Sequence, residues 1–391
     1  MRSDPLAWLD NELASLDKCD LRRRLRTYDG PQGAAITIDG RPAINFGSND
    51  YLGLAADRRL AAAAAQAADE QGFGGGASPL VVGHSRVLER LEQRLAEFEG
   101  VEAALVFASG FAANSGAIPA LVGEGDSVYS DALNHASIVD GCRLSRAAVH
   151  VYPHGDVGKL QEMLVAGGAF RRRLIVTDSL FSMDGDLAPL ADLAELAERH
   201  VCMLLVDEAH ATGVFGPHGR GIAEQLGVEA GVPIRVGTLS KALGAMGGFV
   251  AGRRSLIEWL ANRARPYVFS TALPPPVAAA AACAVDIVRD EPFRRRELLE
   301  RSADLTSRLR AQGWRIGPTA SQIIPLIVGP SARAVELSAA LAARGYSAPA
   351  IRPPSVPANS ARLRISLSWA HDPEMIDGLI AALADHASSR C

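Results

Sequence analysis

A chain of 391 residues with 48% hydrophobic and 21% charged side chains holds more than one packed core's worth of material and excludes a disordered polyelectrolyte. Its 40 basic and 44 acidic side chains leave a formal charge of -4, so composition gives no electrostatic footprint for nucleic acid. The five cysteines are scattered without CxxC pairs and the nine histidines form no HExxH pattern, which predicts no metal site and suits a reducing cytoplasm. The longest apolar run, residues 277–285, is closed by Asp286 and falls far short of the ~20 residues that span a bilayer. Residues 1–13 carry acids and lack a signal peptide's apolar core. Arginine runs occur at 22–24, 171–173 and 294–296, and solvated faces are expected for the last two.

Residues 1–45 read as a helix and a short hairpin turning at Asp39-Gly40, an arm packed against the body. From about 46 to 285, short β-prone apolar runs alternate with helical periodicity. That is the pattern of an α/β domain whose mainly parallel sheet carries helices on both faces. The expected strands are 103–107, 127–130, 149–152, 174–178, 203–207, 234–238 and 248–251, a seven-stranded sheet. A helix over 86–99 places Val87, Leu88, Leu91, Leu95 and Phe98 on one face and stops at Gly100. After Pro274-Pro275-Pro276 comes an alanine-rich helix. Residues 286–391 then form a smaller α+β domain, with strands at 323–328 and 361–367 and helices at about 333–344 and 373–387.

The residues with chemical content sit just past the strand ends, where open α/β sheets bind ligands. Leu-Leu-Val-Asp207-Glu-Ala-His210 and Thr238-Leu-Ser240-Lys241 supply an acid, a histidine three residues later and a lysine after a polar turn. These are the parts that hold pyridoxal phosphate. The lysine amine can form a Schiff base with the aldehyde, Asp207 can keep the pyridine nitrogen protonated, and His210 can reach the phenolic oxygen. The alternative for Asp207-Glu208 is a helix cap.

Ala108-Ser109-Gly110-Phe111 follows a strand and opens a helix, so its free amides can take a phosphate. Thr238 can add a hydroxyl to the same group. An ordinary strand-to-helix turn and a plain strand threonine are the other readings. His135, in Leu-Asn-His-Ala-Ser, can stack on a flat cofactor or be a simply satisfied histidine. Ser182, in Phe-Ser-Met-Asp-Gly-Asp, can hydrogen-bond the cofactor, although turn chemistry at Asp184-Gly185 accounts for the segment equally well. Gly72-x-Gly74 lacks the context of a dinucleotide fingerprint, and Ser109 lacks the GxSxG frame of a nucleophile.

Taken with Ser48-Asn-Asp-Tyr-Leu-Gly-Leu54, Ser109-Gly-Phe-Ala-Ala-Asn114, Asn134-His-Ala-Ser137, Phe181-Ser-Met-Asp-Gly-Asp186, Asp207-Glu-Ala-His-Ala-Thr-Gly213 and Ser270-Thr-Ala-Leu-Pro274, these motifs make nearly the whole chain similar to the α-oxoamine synthases. Those are fold-type I pyridoxal phosphate transferases. The segment Ala350-Ile-Arg-Pro-Pro-Ser-Val-Pro357 with Ala361-Arg-Leu-Arg364 most resembles the biotin-pathway branch. That resemblance implies decarboxylating condensation of L-alanine with a pimeloyl thioester on CoA or acyl carrier protein; siblings use glycine or serine with other acyl groups.

The resemblance also assigns residues. Lys241 is the Schiff-base lysine and Asp207 the pyridinium partner, and Gly110, Phe111, Ser182, His210 and Thr238 contact the cofactor. His135 stacks on the ring, Arg22 and Ser355 touch substrate, and Arg364 holds the amino-acid carboxylate. Family members are homodimers with the site at the subunit interface, which gives Ser270 and Thr271 to the neighbouring subunit's phosphate. The joint presence of Lys241, Asp207 and His135 argues against a non-catalytic family member.

Overall fold

The apolar runs, too continuous for one-sided strands, become the centre of a sheet buried on both faces. The computed structural model describes residues 4–168 and 170–386; the expected helix end at Ala387 lies outside them. The chain divides into two compact units. The larger comprises Asn49–Ser182 and Asp186–Leu299. The smaller comprises Met183–Gly185 and the described parts of Met1–Ser48 and Glu300–Cys391.

In the larger unit the seven strands run in the order Ala103–Phe107, Gly248–Gly252, Ile234–Thr238, Met203–Asp207, Arg173–Asp178, Ser127–Asp131, Ala148–Tyr152. Gly248–Gly252 pairs antiparallel with both neighbours and the remaining pairs are parallel. Alternate residues face opposite sides: Leu105, Phe107, Val128, Leu174, Val176, Leu205, Ile234, Val236 and Val250 join one core with Ala113, Ala117 and Ile118 of the helix Gly110–Leu121. Ile175, Leu204, Val206, Phe249 and Ala251, one position out of phase, are equally buried. The expected helix forms over Arg86–Glu99, with Ser85 Oγ accepting from Leu88 N at 3.2 Å. Gly100 closes it at φ 66°, a left-handed conformation that glycine adopts without penalty.

The third arginine run departs from expectation. Arg294 and Arg295 are 8% and 7% exposed, whereas Arg296 faces solvent. Arg294 donates to Leu52 O at 2.9 Å and to Glu291 Oε2 at 2.7 Å; Arg295 donates to Val288 O at 2.9 Å and also to Pro217 O. Carbonyls left over at the end of the helix Pro275–Asp290, together with loop carbonyls, satisfy guanidinium groups that a charge-run argument sends to water.

In the smaller unit the N-terminal helix Trp8–Lys18 precedes a hairpin of Ala35–Ile38 and Arg41–Asn45, turning through Asp39 and Gly40 at φ 50° and 75°. Tyr28–Asp29 adds to one edge, and Tyr346–Ser347 pairs parallel to the other. The N-terminal segment therefore shares a four-stranded sheet with the C-terminal part of the chain. A second sheet orders Ile323–Gly329, Ala361–Ser366 and Ala350–Ile351, all antiparallel. Helices Ser331–Ala343 and Pro373–Ala384 complete the unit. Among the described residues, no helix is long and apolar enough to cross a membrane.

Candidate active site at the carboxyl end of the large sheet

Parallel strands end together, so their terminal residues converge. Asp178 and Asp207 are register partners on adjacent strands, and Asp207 also pairs in register with Val236. Asp207 is 4% exposed and its carboxylate is held from two directions: Ala209 N donates to Oδ1 at 2.8 Å and Asn114 Nδ2 to Oδ2 at 2.6 Å. Asn114, fully buried on the helix Gly110–Leu121, also donates to Ser137 Oγ at 3.0 Å. The Ser137 hydroxyl lies 2.7 Å from His135 Nδ1, so a hydrogen-bond chain runs from Asp207 to His135. Asn114 and Ser137 lie inside the motifs Ser109–Asn114 and Asn134–Ser137, but no local signal in the sequence marks this role.

His135 N donates to Asp178 Oδ2 at 2.7 Å, anchoring the start of the helix Ala136–Ser145. Burial, and after it the Asp207 charge, raises the Asp178 carboxyl well above its ordinary value. His135 is open to solvent as a residue, but protein crowds its ring. That partial desolvation lowers its pKa; Asp207 opposes the shift and Lys241 adds to it. The charges of Asp207 and Lys241 thus both act on His135 and on Asp178.

Lys241 is half-buried on the loop between the strands Ile234–Thr238 and Gly248–Gly252. Two hydroxyls pin the neck of that loop. Thr238 Oγ1 donates to Gly247 O at 2.9 Å and accepts from Ser240 N at 3.2 Å; Ser240 Oγ donates to Gly247 O and accepts from Gly247 N, both at 3.1 Å. Thr238 therefore directs its proton into the loop. Gly248 lies so close to the start of the next helix that a Cβ there would sit 2.5 Å from Gly110 Cα. Ser109 Oγ accepts from Ala112 N at 3.0 Å, and the first-turn amides at Gly110 and Phe111 have no intrahelical acceptor. A Cβ on Gly110 itself would meet Thr238 Oγ1 only at 3.6 Å, so this end of the helix forms a cradle bounded by Thr238.

His210 follows Asp207 on a buried turn, with Nδ1 2.6 Å from the hydroxyl of the fully buried Tyr51. Ser182 is half-buried in the loop after Arg173–Asp178. Beside it, Phe181 takes the edge of the His154 ring at 4.4 Å and 84°. His154 bridges Asp131 at 3.0 Å and Asp186 at 2.8 Å, and these bonds, Asp131's first, raise its pKa to about 10. Neither Tyr51 nor His154 drew a role from sequence.

Ser270 is half-buried and Thr271 exposed; a Cβ on Gly75 would stand 3.2 Å from Thr271 Cγ2, and Ala272 N donates to Ala77 O at 2.9 Å. The remaining expected residues belong to the smaller unit. Arg22 pairs with Asp17 at 2.5 Å, Ser355 accepts from Arg23 Nη2 at 3.3 Å, and the buried Arg364 donates to Ser366 Oγ at 2.9 Å. Its neighbour Arg362 pairs with Asp184.

Within the larger unit the donor set fits pyridoxal phosphate. A buried carboxylate suits a protonated ring nitrogen, a half-buried amine suits an aldehyde, and an open cradle at a helix start suits a phosphate. The chain belongs to the aminotransferase class I and II family, whose model matches residues 41–383. Its fold is that of a fold-type I transferase and its cofactor is pyridoxal phosphate.

A curated relative named 8-amino-7-oxononanoate synthase, from Anaeromyxobacter dehalogenans, is 53% identical over 98% of this chain and 96% of its own. Among solved structures, the Sphingomonas wittichii serine palmitoyltransferase superposes with a TM-score of 0.94 at 36% identity, covering 99% of both chains. The S. paucimobilis serine palmitoyltransferase, solved with a PLP–myriocin adduct, gives 0.94 at 31% identity and the same 99% coverage of each chain. The 8-amino-7-oxononanoate synthase of Francisella tularensis gives 0.77 at 27%, covering 89% of this chain and 98% of its own.

Proposed function

We propose that this chain is an 8-amino-7-oxononanoate synthase, joining L-alanine to a pimeloyl thioester with loss of CO2 and of the carrier thiol. The observation that carries the reading is the convergence at one sheet end of Asp207, gripped by Asn114, with Lys241 on its pinned loop. It stands in a chain 53% identical to a relative of that name. Structural likeness to serine palmitoyltransferase reports the shared scaffold, and the identity there is lower, at 36%.

When bound, pyridoxal phosphate supplies an electron sink conjugated to the amino-acid nitrogen. Lys241 Nζ would anchor the aldehyde carbon and, once alanine displaces it, take the proton from alanine Cα and later return one; a positioned base of this kind contributes about 10²- to 10⁴-fold. Asp207 would hold the proton on the ring nitrogen through both of the steps that place negative charge at Cα. Gly110 and Phe111 amides would bind the phosphate, with Thr238 bounding the cradle, while His135 stacks and Ser182 and His210 orient the ring. Alanine Cα bonds to the pimeloyl carbonyl carbon as the thiol leaves, and the alanine carboxylate then departs as CO2. Arg364 would hold that carboxylate, and Arg22 and Ser355 the acyl substrate. The protein would work in the cytoplasm as a homodimer whose Ser270 and Thr271 serve the neighbouring phosphate, with CoA or acyl carrier protein as the acyl donor.

The test offers alanine, glycine and serine separately with pimeloyl, acetyl and palmitoyl thioesters, on CoA and on carrier protein, and measures CO2 and ketone. Turnover of alanine with the pimeloyl thioester is expected. Preference for glycine with acetyl, or serine with palmitoyl, overturns the assignment. Lys241→Ala should lose both turnover and the covalently held cofactor detected by mass spectrometry after reduction.

A further inference from the structure

We propose that His154 is a positioning residue that clamps the loop carrying Ser182 to the end of the strand Ser127–Asp131, and so fixes Ser182 against the cofactor. The proposal rests on the reading that Ser182 contacts pyridoxal phosphate, and it adds a residue that itself touches neither cofactor nor substrate.

The geometry has three parts. Asp131 is the fixed side: it ends its strand, its side chain is 2% exposed, Oδ1 also accepts from Leu133 N at 2.8 Å, and Oδ2 accepts from Gly155 N at 2.9 Å. Asp186 is the other side, on the loop that carries Ser182. The loop closes on itself through Phe181 N donating to Asp186 O at 3.0 Å and through the bridge between Leu180 and Leu187. His154 joins the two sides, with Nδ1 on Asp131 Oδ1 and Nε2 on Asp186 Oδ2, while its ring packs edge-on against Phe181, the neighbour of Ser182.

Both ring nitrogens facing carboxylates require both to carry protons, so the residue is an imidazolium with two charge-assisted bonds. Asp186 Oδ1 is buried without a hydrogen-bond partner among the described residues, so the compensation of this carboxylate there depends on His154. Glutamine, neutral and with one amide group, cannot donate in both directions with that span. Loss of His154 would therefore release the loop at Asp186 and leave Asp131 seated.

The experiment is a double-mutant cycle read in cofactor affinity. His154→Gln, Ser182→Ala, the pair together, and Asp186→Asn as a gentler break of the same bridge are titrated with pyridoxal phosphate by absorbance, and cofactor-free melting temperatures are recorded alongside. His154→Gln should weaken affinity about tenfold, Ser182→Ala should weaken it too, and the double variant should bind no worse than the weaker single one, because His154 acts through Ser182. Asp186→Asn should follow His154→Gln. Additive losses, or an affinity unchanged in His154→Gln and Asp186→Asn while the melting temperature falls, overturn the proposal and leave a structural ion bridge. If Ser182→Ala alone binds normally while His154→Gln does not, the route through Ser182 is wrong. Failure of the unaltered protein to bind pyridoxal phosphate would overturn the parent reading as well.

Discussion

The Tyr51 hydroxyl lies 2.6 Å from His210 Nδ1, and it also donates to Asn49 Oδ1 at 3.1 Å, so a fully buried phenol fixes the imidazole that follows Asp207 by three positions. A histidine held at one ring nitrogen presents the other in a set direction and tautomer. Tyr51→Phe keeps the ring volume and removes only the hydroxyl. It should cost about 1–3 kcal/mol of unfolding free energy through the polar atoms left behind, read by urea denaturation, and it should weaken pyridoxal phosphate binding. Unchanged stability and affinity would show that the hydroxyl does not hold His210.

Asp207 offers a sharper contrast between charge and shape. Its carboxylate accepts from Ala209 N and Asn114 Nδ2, and Asp207→Asn preserves volume while turning one acceptor into a donor facing Asn114. Turnover should fall by about 10²–10³, with cofactor attachment to Lys241 retained. Asn114→Asp should depress turnover as well, by placing a second acid against the first. Near-normal turnover in Asp207→Asn would remove Asp207 from its proposed role.

The central strands were the most readable elements because each is a short apolar run, buried on both faces, that ends at a polar motif; Met203–Asp207 and Ile234–Thr238 form over the residues expected. What sequence did not disclose was long-range. Asn114 and Asp207 are 93 residues apart, and Tyr51 and His210 are 159 apart; no local period marks a hydrogen bond across such a separation. The same holds for Tyr346–Ser347, whose parallel pairing with Arg41–Asn45 has no turn residue to announce it. Arg294 and Arg295 fail for a related reason. A run of three charges reads as solvated until backbone carbonyls at Leu52, Val288 and Pro217 come within reach.

Gly248 tests how closely the lysine loop and the phosphate-side helix must approach. A methyl group there would stand 2.5 Å from Gly110 Cα and 2.6 Å from Ser109 C, all backbone that cannot rotate aside. Gly248→Ala should destabilise the protein by about 1–3 kcal/mol. It should also displace Gly110 from Thr238, so that phosphate-dependent cofactor affinity falls further than affinity for pyridoxal lacking its phosphate. Equal losses for the two compounds would place the damage elsewhere.

His371 sets an acid limit on the smaller unit. Its ring stacks on Phe46 at 4.3 Å and 2°; Nδ1 accepts from Ser368 N at 2.9 Å and Nε2 lies 3.1 Å from Asn45 O. The first contact requires a lone pair on Nδ1, so the folded ring is neutral, with its proton on Nε2 donated to Asn45. Burial pushes its pKa down to about 4 from an ordinary 6.5, against the smaller opposing pull of the Asn45 carbonyl and of Asp372, while Arg301 adds to the depression. Between those values the unfolded chain binds a proton that the folded one refuses. The contribution to stability is therefore complete above about pH 6.5 and is lost as pH falls toward 4. Melting temperature should decline across that window. His371→Gln should melt lower at pH 7 and show a shallower decline between pH 6.5 and 4, because the group that charges on unfolding is gone. A decline of identical slope in both proteins would assign the acid sensitivity to other groups.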